Sequence, residues 1–180
     1  MNFIVVGIRF WGREWCKLLK KQSVASVVAT VDLSEAAAKW SRETLGIPCF
    51  SSLEEAAAKT RADAVLVVTN PGQHKPVILE ALRLKKHVLV EKPMVTSVLE
   101  ADEIAAAAEH SGVNVMAAQG YRFLRAASFI RDRLAAGDIG ELQGVKIRFQ
   151  PEPSILDNRK TLAVVFGSIE SVQQKREIWL

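Results

Sequence analysis

The chain alternates between short apolar runs and longer segments in which apolar residues recur at helical spacing. The runs are Phe3 to Val6, Val27 to Val31, Ala64 to Val68, Val88 to Val90 and Val113 to Ala118. Each is bounded by turn residues, the pattern of a strand buried on both faces of a parallel sheet. Between them, Trp15, Leu18 and Leu19, then Val77, Ile78, Ala81 and Leu82, then Val98, Ala101, Ala105 and Ala108 each mark one face of a helix. Strand and helix in alternation predict βαβ units with right-handed crossovers, hence a doubly wound α/β domain with helices on both faces of its sheet. Alanine clusters at 36–38, 56–58 and 105–108 suit close packing of helices on that sheet.

Past Gly120 the pattern changes. Phe123, Ala127, Ile130 and Leu134 place one apolar stripe on an amphipathic helix ending near Gly137. Val145, Lys146, Ile147, Arg148 and Phe149 then alternate apolar with polar, as a strand with one wet face does. The expected organisation is therefore a parallel-sheet domain over 1–120 and, over 121–180, a crossover helix and a short, incomplete α+β segment opening a second, antiparallel sheet. The tail from Pro151 contains one more apolar run, Leu162 to Phe166, and a polar end; no role follows from it.

Composition narrows the class. Of the 180 residues, 49% are hydrophobic and 24% charged, the proportions of a packed globular protein. The net charge of +4 is dispersed, in groups such as Lys17, Lys20, Lys21 and Lys85, Lys86, with no basic block interleaved with aromatics, which argues against nucleic acid as a partner. Cys16 and Cys49 lie in no CxxC pair and near no His at metal-ligand spacing, so reduced, cytoplasmic thiols are expected and neither a disulfide framework nor a metal site is. The opening apolar run is too short for a leader, and no segment approaches the roughly 20 apolar residues of a membrane helix.

The first strand runs into Gly7-Ile8-Arg9-Phe10-Trp11-Gly12, which keeps the first and third glycines of G-x-G-x-x-G and has Arg9 at the second. In a Rossmann-type fold this turn brings backbone N–H groups at a helix start to a pyrophosphate. Arg9 either swings outward, adding positive charge for phosphate, or obstructs the approach; a bare strand-helix turn is the competing reading. Asp32 ends the second strand 20 residues after Gly12, the spacing of an acidic residue that hydrogen-bonds the adenosine ribose. Its alternative role is to cap a helix beginning near Ser34. A carboxylate there repels a 2′-phosphate and so favours NAD, while Arg9 keeps NADP open. Thr69-Asn70-Pro71-Gly72-Gln73-His74 follows the strand Ala64 to Val68, at the edge where doubly wound folds bind ligands. His74 is read there as a surface or capping group in preference to a cofactor contact.

The next strand ends in Glu91-Lys92-Pro93. Together with the N-terminal turn, Asp32, Thr69-Asn70-Pro71 and His74, the run Lys86-His87-Val88-Leu89-Val90-Glu91-Lys92-Pro93 resembles the glucose-fructose oxidoreductase, inositol dehydrogenase and MocA (Gfo/Idh/MocA) family. The resemblance spans about the first 150 residues, continuing through Tyr121-Arg122-Phe123 and Gly137-Asp138-Ile139-Gly140-Glu141-Leu142. It implies hydride transfer between NAD or NADP and a hydroxyl-bearing carbon of a sugar- or cyclitol-like small molecule. It also implies that Lys92 hydrogen-bonds the reacting oxygen beside the nicotinamide, held by Glu91 and an often cis bond to Pro93. Burial and a cationic nicotinamide would both disfavour the charged lysine, as acid-base work requires; a solvated strand end is the other reading of Lys92. The family's second domain contributes an Asp and a His after a glycine-rich turn, and neither is found: the histidines are His74, His87 and His110. The chain is thus expected to be truncated or diverged beyond Pro151. Two alternatives to an active oxidoreductase follow, an inactive dinucleotide-binding module and a subunit completed by association through the strand Gly144 to Phe149. A short-chain dehydrogenase is excluded, because Tyr121 has Arg125 where that chemistry needs a lysine.

Overall fold

The computed structural model describes residues 1–145 and 169–171. The chain divides into two compact units at Gln119/Gly120. The first carries strands β1 (Asn2–Val6), β2 (Ser26–Val31), β3 (Cys49–Phe50), β4 (Ala64–Val67), β5 (His87–Val90) and β6 (Val115–Ala117). Its helices are α1 (Phe10–Lys20), α2 (Glu35–Trp40), α3 (Leu53–Lys59), α4 (His74–Arg83) and α5 (Val98–Ser111). All six strands are parallel, in the order β3-β2-β1-β4-β5-β6. This is the doubly wound arrangement, and the order reverses between β1 and β4, the switch point above which such sheets hold ligands.

Residues alternate between the faces. Ile4 and Val6 of β1 join Val65, Val67, Ile78, Ala81 and Ile104 in one cluster, the face covered by α3, α4 and α5. Phe3 and Val5 join Leu66, Cys16 and Leu19 in the other, the face covered by α1 and α2. Both faces of β1 and β4 are sealed, which is why those runs read as unbroken apolar sequence. Cys16 is fully buried, and burial pushes its thiol up to about 12.

The differences from the sequence pattern have local causes. Strand β3 is two residues long and its burial is partial, so it leaves no apolar run to recognise. Strand β6 is shorter than the run Val113 to Ala118, as suits the edge of the sheet, with Met116 exposed. Helix α2 passes into a wider turn, Ser41–Leu45, closed by Gly46 at φ 71°. Side-chain caps start two helices: Ser52 Oγ accepts from Glu55 N, and Ser97 Oγ accepts from Glu100 N.

The second unit opens on a 3₁₀ turn, Gly120–Phe123, followed by α6 (Arg125–Ala135). Phe123, expected on the helix, precedes it. Strand β7 (Leu142–Val145) pairs antiparallel with β8 (Ile169–Ser171). Lys146 to Phe149 of the strand expected at 144–149, and the run Leu162 to Phe166, lie outside the described residues. Among the described residues no helix is long and apolar enough to cross a membrane.

Candidate functional site

Register alone gathers the candidate residues. Val6 pairs with Val31 on one side and Val67 on the other, and Val67 pairs with Val90. One step further along these parallel strands, Gly7, Asp32, Val68 and Glu91 stand level at the carboxyl edge. The ladder carries them there, with Gly7 N donating to Val31 O, Val68 N to Val6 O and Glu91 N to Val67 O.

At the β1 end the turn is shaped by missing side chains. A Cβ on Gly12 would lie 1.9 Å from the carbonyl oxygen of Gly7; one on Gly7, whose φ is +94°, would lie 2.9 Å from the backbone of Val68 and Thr69. Neither position admits another residue. Arg9 differs: its φ is −84°, a conformation open to any L-residue, and its side chain is exposed, so the second glycine of the fingerprint is not required by the backbone. Arg9 is the N-cap of α1. The amides of Phe10, Trp11 and Gly12 follow it, with no acidic residue in the first turn to compensate the positive end of the helix. A cleft of about 650 Å³ opens here, lined by Ile8, Arg9, Arg13, Lys17, Asp32 and Ser34 among others. Arg13 is held in it by a bond from Nε to Ile8 O and by its guanidinium lying 5.2 Å from the Trp40 ring centroid. Phe10 and Trp11 form an exposed edge-to-face pair at 5.3 Å.

Asp32 stands before the N-cap of α2, Ser34, and braces the turn without capping the helix itself. Its Oδ1 accepts from Ser34 N at 2.9 Å, bracing the entry to α2, and its Oδ2 accepts from Ile8 N at 2.7 Å, tying the glycine turn to the end of β2. Each carboxylate oxygen keeps a further lone pair for a ligand hydroxyl.

At the β4 and β5 ends side chains do the shaping. The expectation of a surface or capping His74 is corrected: the residue is 1% exposed. Its Nε2 lies 3.0 Å from Thr69 O, and its Nδ1 lies 2.9 Å from Pro93 O and 3.2 Å from Met94 O. The 3₁₀ turn Pro71–Gln73, with Asn70 as its N-cap, leads the chain so that α4 begins beneath the Lys92 turn. There the ring ties together carbonyls that no regular structure satisfies. All three partners are acceptors, so one neutral tautomer can donate to only one side of the ring.

The Lys92–Pro93 bond is cis. Glu91 accepts at both oxygens, from Trp15 Nε1 at 2.8 Å and from Lys92 N at 2.9 Å. Lys92 itself is exposed, two positions beyond the last residue of β5, on the rim. The hydroxyl oxygen of Thr69 is buried without a hydrogen-bond partner, beside the backbone that Gly7 approaches. Trp15, which the helical spacing marked only as a packing residue, was missed as a site residue; no motif spacing links it to Glu91.

A cradle that a Cβ would fill, helix-start amides at a cleft that carries Arg9 and Arg13, and an orphaned hydroxyl at the switch point together fit a dinucleotide. Residues 1–119 match the model of an oxidoreductase family described by its NAD-binding Rossmann fold. Among similar curated proteins are the 2,7-anhydro-N-acetylneuraminate hydratase of Escherichia coli, 29% identical over 79% of this chain and 38% of that protein, and the trans-1,2-dihydrobenzene-1,2-diol dehydrogenase of Bos taurus, 36% identical over 68% and 36%. Among solved structures, scyllo-inositol dehydrogenase from Lactobacillus casei with bound NAD(H) and scyllo-inositol superposes with a TM-score of 0.72. Identity there is 22%, over 78% of this chain and 42% of that one. The matched region thus spans about two-fifths of the length of these relatives.

Proposed function

The chain belongs to the Gfo/Idh/MocA family of oxidoreductases, and from that premise we propose that it binds NAD at the carboxyl edge of the sheet and acts on a sugar- or cyclitol-like hydroxyl or carbonyl carbon. The carrying observation is the bracing of one turn from both sides. Glu91 holds the amide of Lys92, and His74 holds the carbonyls of Pro93 and Met94, so the lysine is fixed at the sheet edge that also carries the glycine turn. NAD, when bound, accepts or supplies the hydride. The first-turn amides of α1 and the glycine cradle receive the diphosphate, Asp32 the adenosine ribose, and Thr69 Oγ1 the polar rim of the nicotinamide end. Lys92 Nζ hydrogen-bonds the reacting oxygen and moves its proton, while Thr69, Asn70 and Pro71 form the neighbouring wall. NAD is favoured over NADP by the Asp32 carboxylate; Arg9 and Arg13 in the same cleft offset part of that preference, while Lys17 there is paired with Glu14.

A titration with NADH followed by tryptophan fluorescence tests the binding step, because Trp11 stands half-exposed in the turn. Saturation below millimolar NADH is expected, and no saturable change would remove the reading. With a panel of sugars and cyclitols, Lys92→Ala should lose roughly a hundredfold or more in turnover while keeping NADH affinity. Unchanged turnover would take Lys92 out of the mechanism. A second reading, dinucleotide binding without turnover, is favoured by the exposure of Lys92, whose amine has no protein partner among the described residues. NADH binding with no substrate of the panel consumed would support it.

A further inference from the structure

The indole of Trp15 crosses from α1 to the end of β5, 76 positions away in sequence, and donates to Glu91 Oε1 at 2.8 Å. An indole can only donate, and this half-buried one meets a carboxylate, a charge-assisted partner. The other oxygen of the same carboxylate accepts from Lys92 N. Both oxygens of Glu91 are therefore engaged away from the one cation adjacent to it in sequence. Among the described residues the Lys92 amine has neither an ion pair nor a hydrogen bond, although a glutamate precedes it directly.

We infer that Trp15 is a positioning residue. By holding Glu91 against α1 it keeps the carboxylate off the Lys92 amine and leaves that amine free for a ligand oxygen. The inference rests on the reading of Lys92 as the group that meets the reacting oxygen. A carboxylate released from the indole would turn to the neighbouring ammonium, hold its proton more tightly and compete with any ligand for it. Trp15 also packs against the cluster that holds Cys16 and Leu19, but that packing does not call for the ring N–H that reaches Glu91.

The test reads the amine directly. Trace acylation with acetic anhydride at pH 8, quantified by peptide mass spectrometry, reports the free-amine reactivity of every lysine in the folded chain. Trp15→Phe should slow labelling of Lys92 by roughly three- to tenfold, with Lys59, an exposed lysine already paired to Glu55, unchanged. Trp15→His, which keeps a ring N–H donor, should restore the native rate, and adding Glu91→Gln to Trp15→Phe should relieve the slowing. A native labelling rate in Trp15→Phe, or slowing that persists in the double variant, overturns the inference. A merely structural role would leave Lys92 labelling unchanged or raise it together with the other lysines. Should Trp15→Phe fail to fold, the indole ¹⁵N–¹H resonance of Trp15 in the native chain serves instead. Glu91→Gln should move its proton upfield as the charge-assisted bond is lost, and an unmoved resonance overturns the inference. Neither measurement uses cofactor or substrate, so failure of the oxidoreductase reading would appear in the NADH titration or in the turnover of Lys92→Ala and is distinguishable from failure here.

Discussion

The two ends of the sheet edge are built by opposite means. At β1 and β2 the site is made of backbone: glycines whose missing Cβ atoms let main chains touch, helix-start amides, and a carboxylate bonded to two N–H groups. At β4 and β5 it is made of side chains that reach across the fold, His74 to the Pro93 carbonyl and Trp15 to Glu91. The first end tolerates almost no change of size at two positions and wide change elsewhere, as Arg9 shows. The second tolerates size changes but depends on donors and acceptors in matched pairs.

Substitutions can break this contrast. The largest effect is expected from Gly12→Ala, whose added methyl would stand 1.9 Å from Gly7 O. The main chain must move, at a cost of about 3 kcal/mol, read as a lower urea midpoint, and NADH binding should vanish. A native midpoint would show that the backbone end is not sterically set. Next is His74→Ala, which removes the single ring N–H that a neutral imidazole can offer either to Thr69 O or to the Pro93 and Met94 carbonyls. A loss of about 2 kcal/mol is expected, with NADH affinity less affected than in Gly12→Ala; the reverse order would erase the contrast. Asp32→Ala should weaken NADH about tenfold, near 1.4 kcal/mol, by freeing the Ile8 amide and removing the ribose acceptor, measurable in the same fluorescence titration. The smallest effect concerns Glu100, just beyond the Lys92 turn. The backbone N–H of Thr96, and then its hydroxyl, hold the Glu100 carboxyl below the usual carboxylate range. Its contribution is complete above the ordinary glutamate value and fades as pH falls through the lower folded one. The difference in thermal midpoint between the native chain and Glu100→Gln should therefore be small at neutral pH and shrink in acid.

The same contrast explains what could be read in advance. Gly7, Gly12 and Asp32 announce themselves because local geometry admits few residues and the spacing is short. The parallel strands are legible because burial on both faces forces unbroken apolar runs, while β3 is two half-buried residues and escapes that rule. His74 and Trp15 are opaque in sequence: a histidine at a helix start is most often solvated, and an aromatic on an amphipathic helix most often packs. Their roles arise from partners 19 and 76 residues away. Lys92 stays open in sequence between a buried group and a solvated strand end, since burial at a strand's rim depends on what stands over it and not on the strand.

Cys16 offers a clock for the glycine turn. Its thiol is sealed beneath α1 and held protonated by burial, with its ordinary value pushed up to about 12. It can meet a disulfide reagent only when the helix lifts from the sheet, so its exchange rate counts those excursions. Because α1 presents its first amides to the proposed diphosphate site, occupancy there should lengthen the interval between liftings. One buried sulfur thus converts cofactor binding into a chemical rate that requires neither substrate nor turnover.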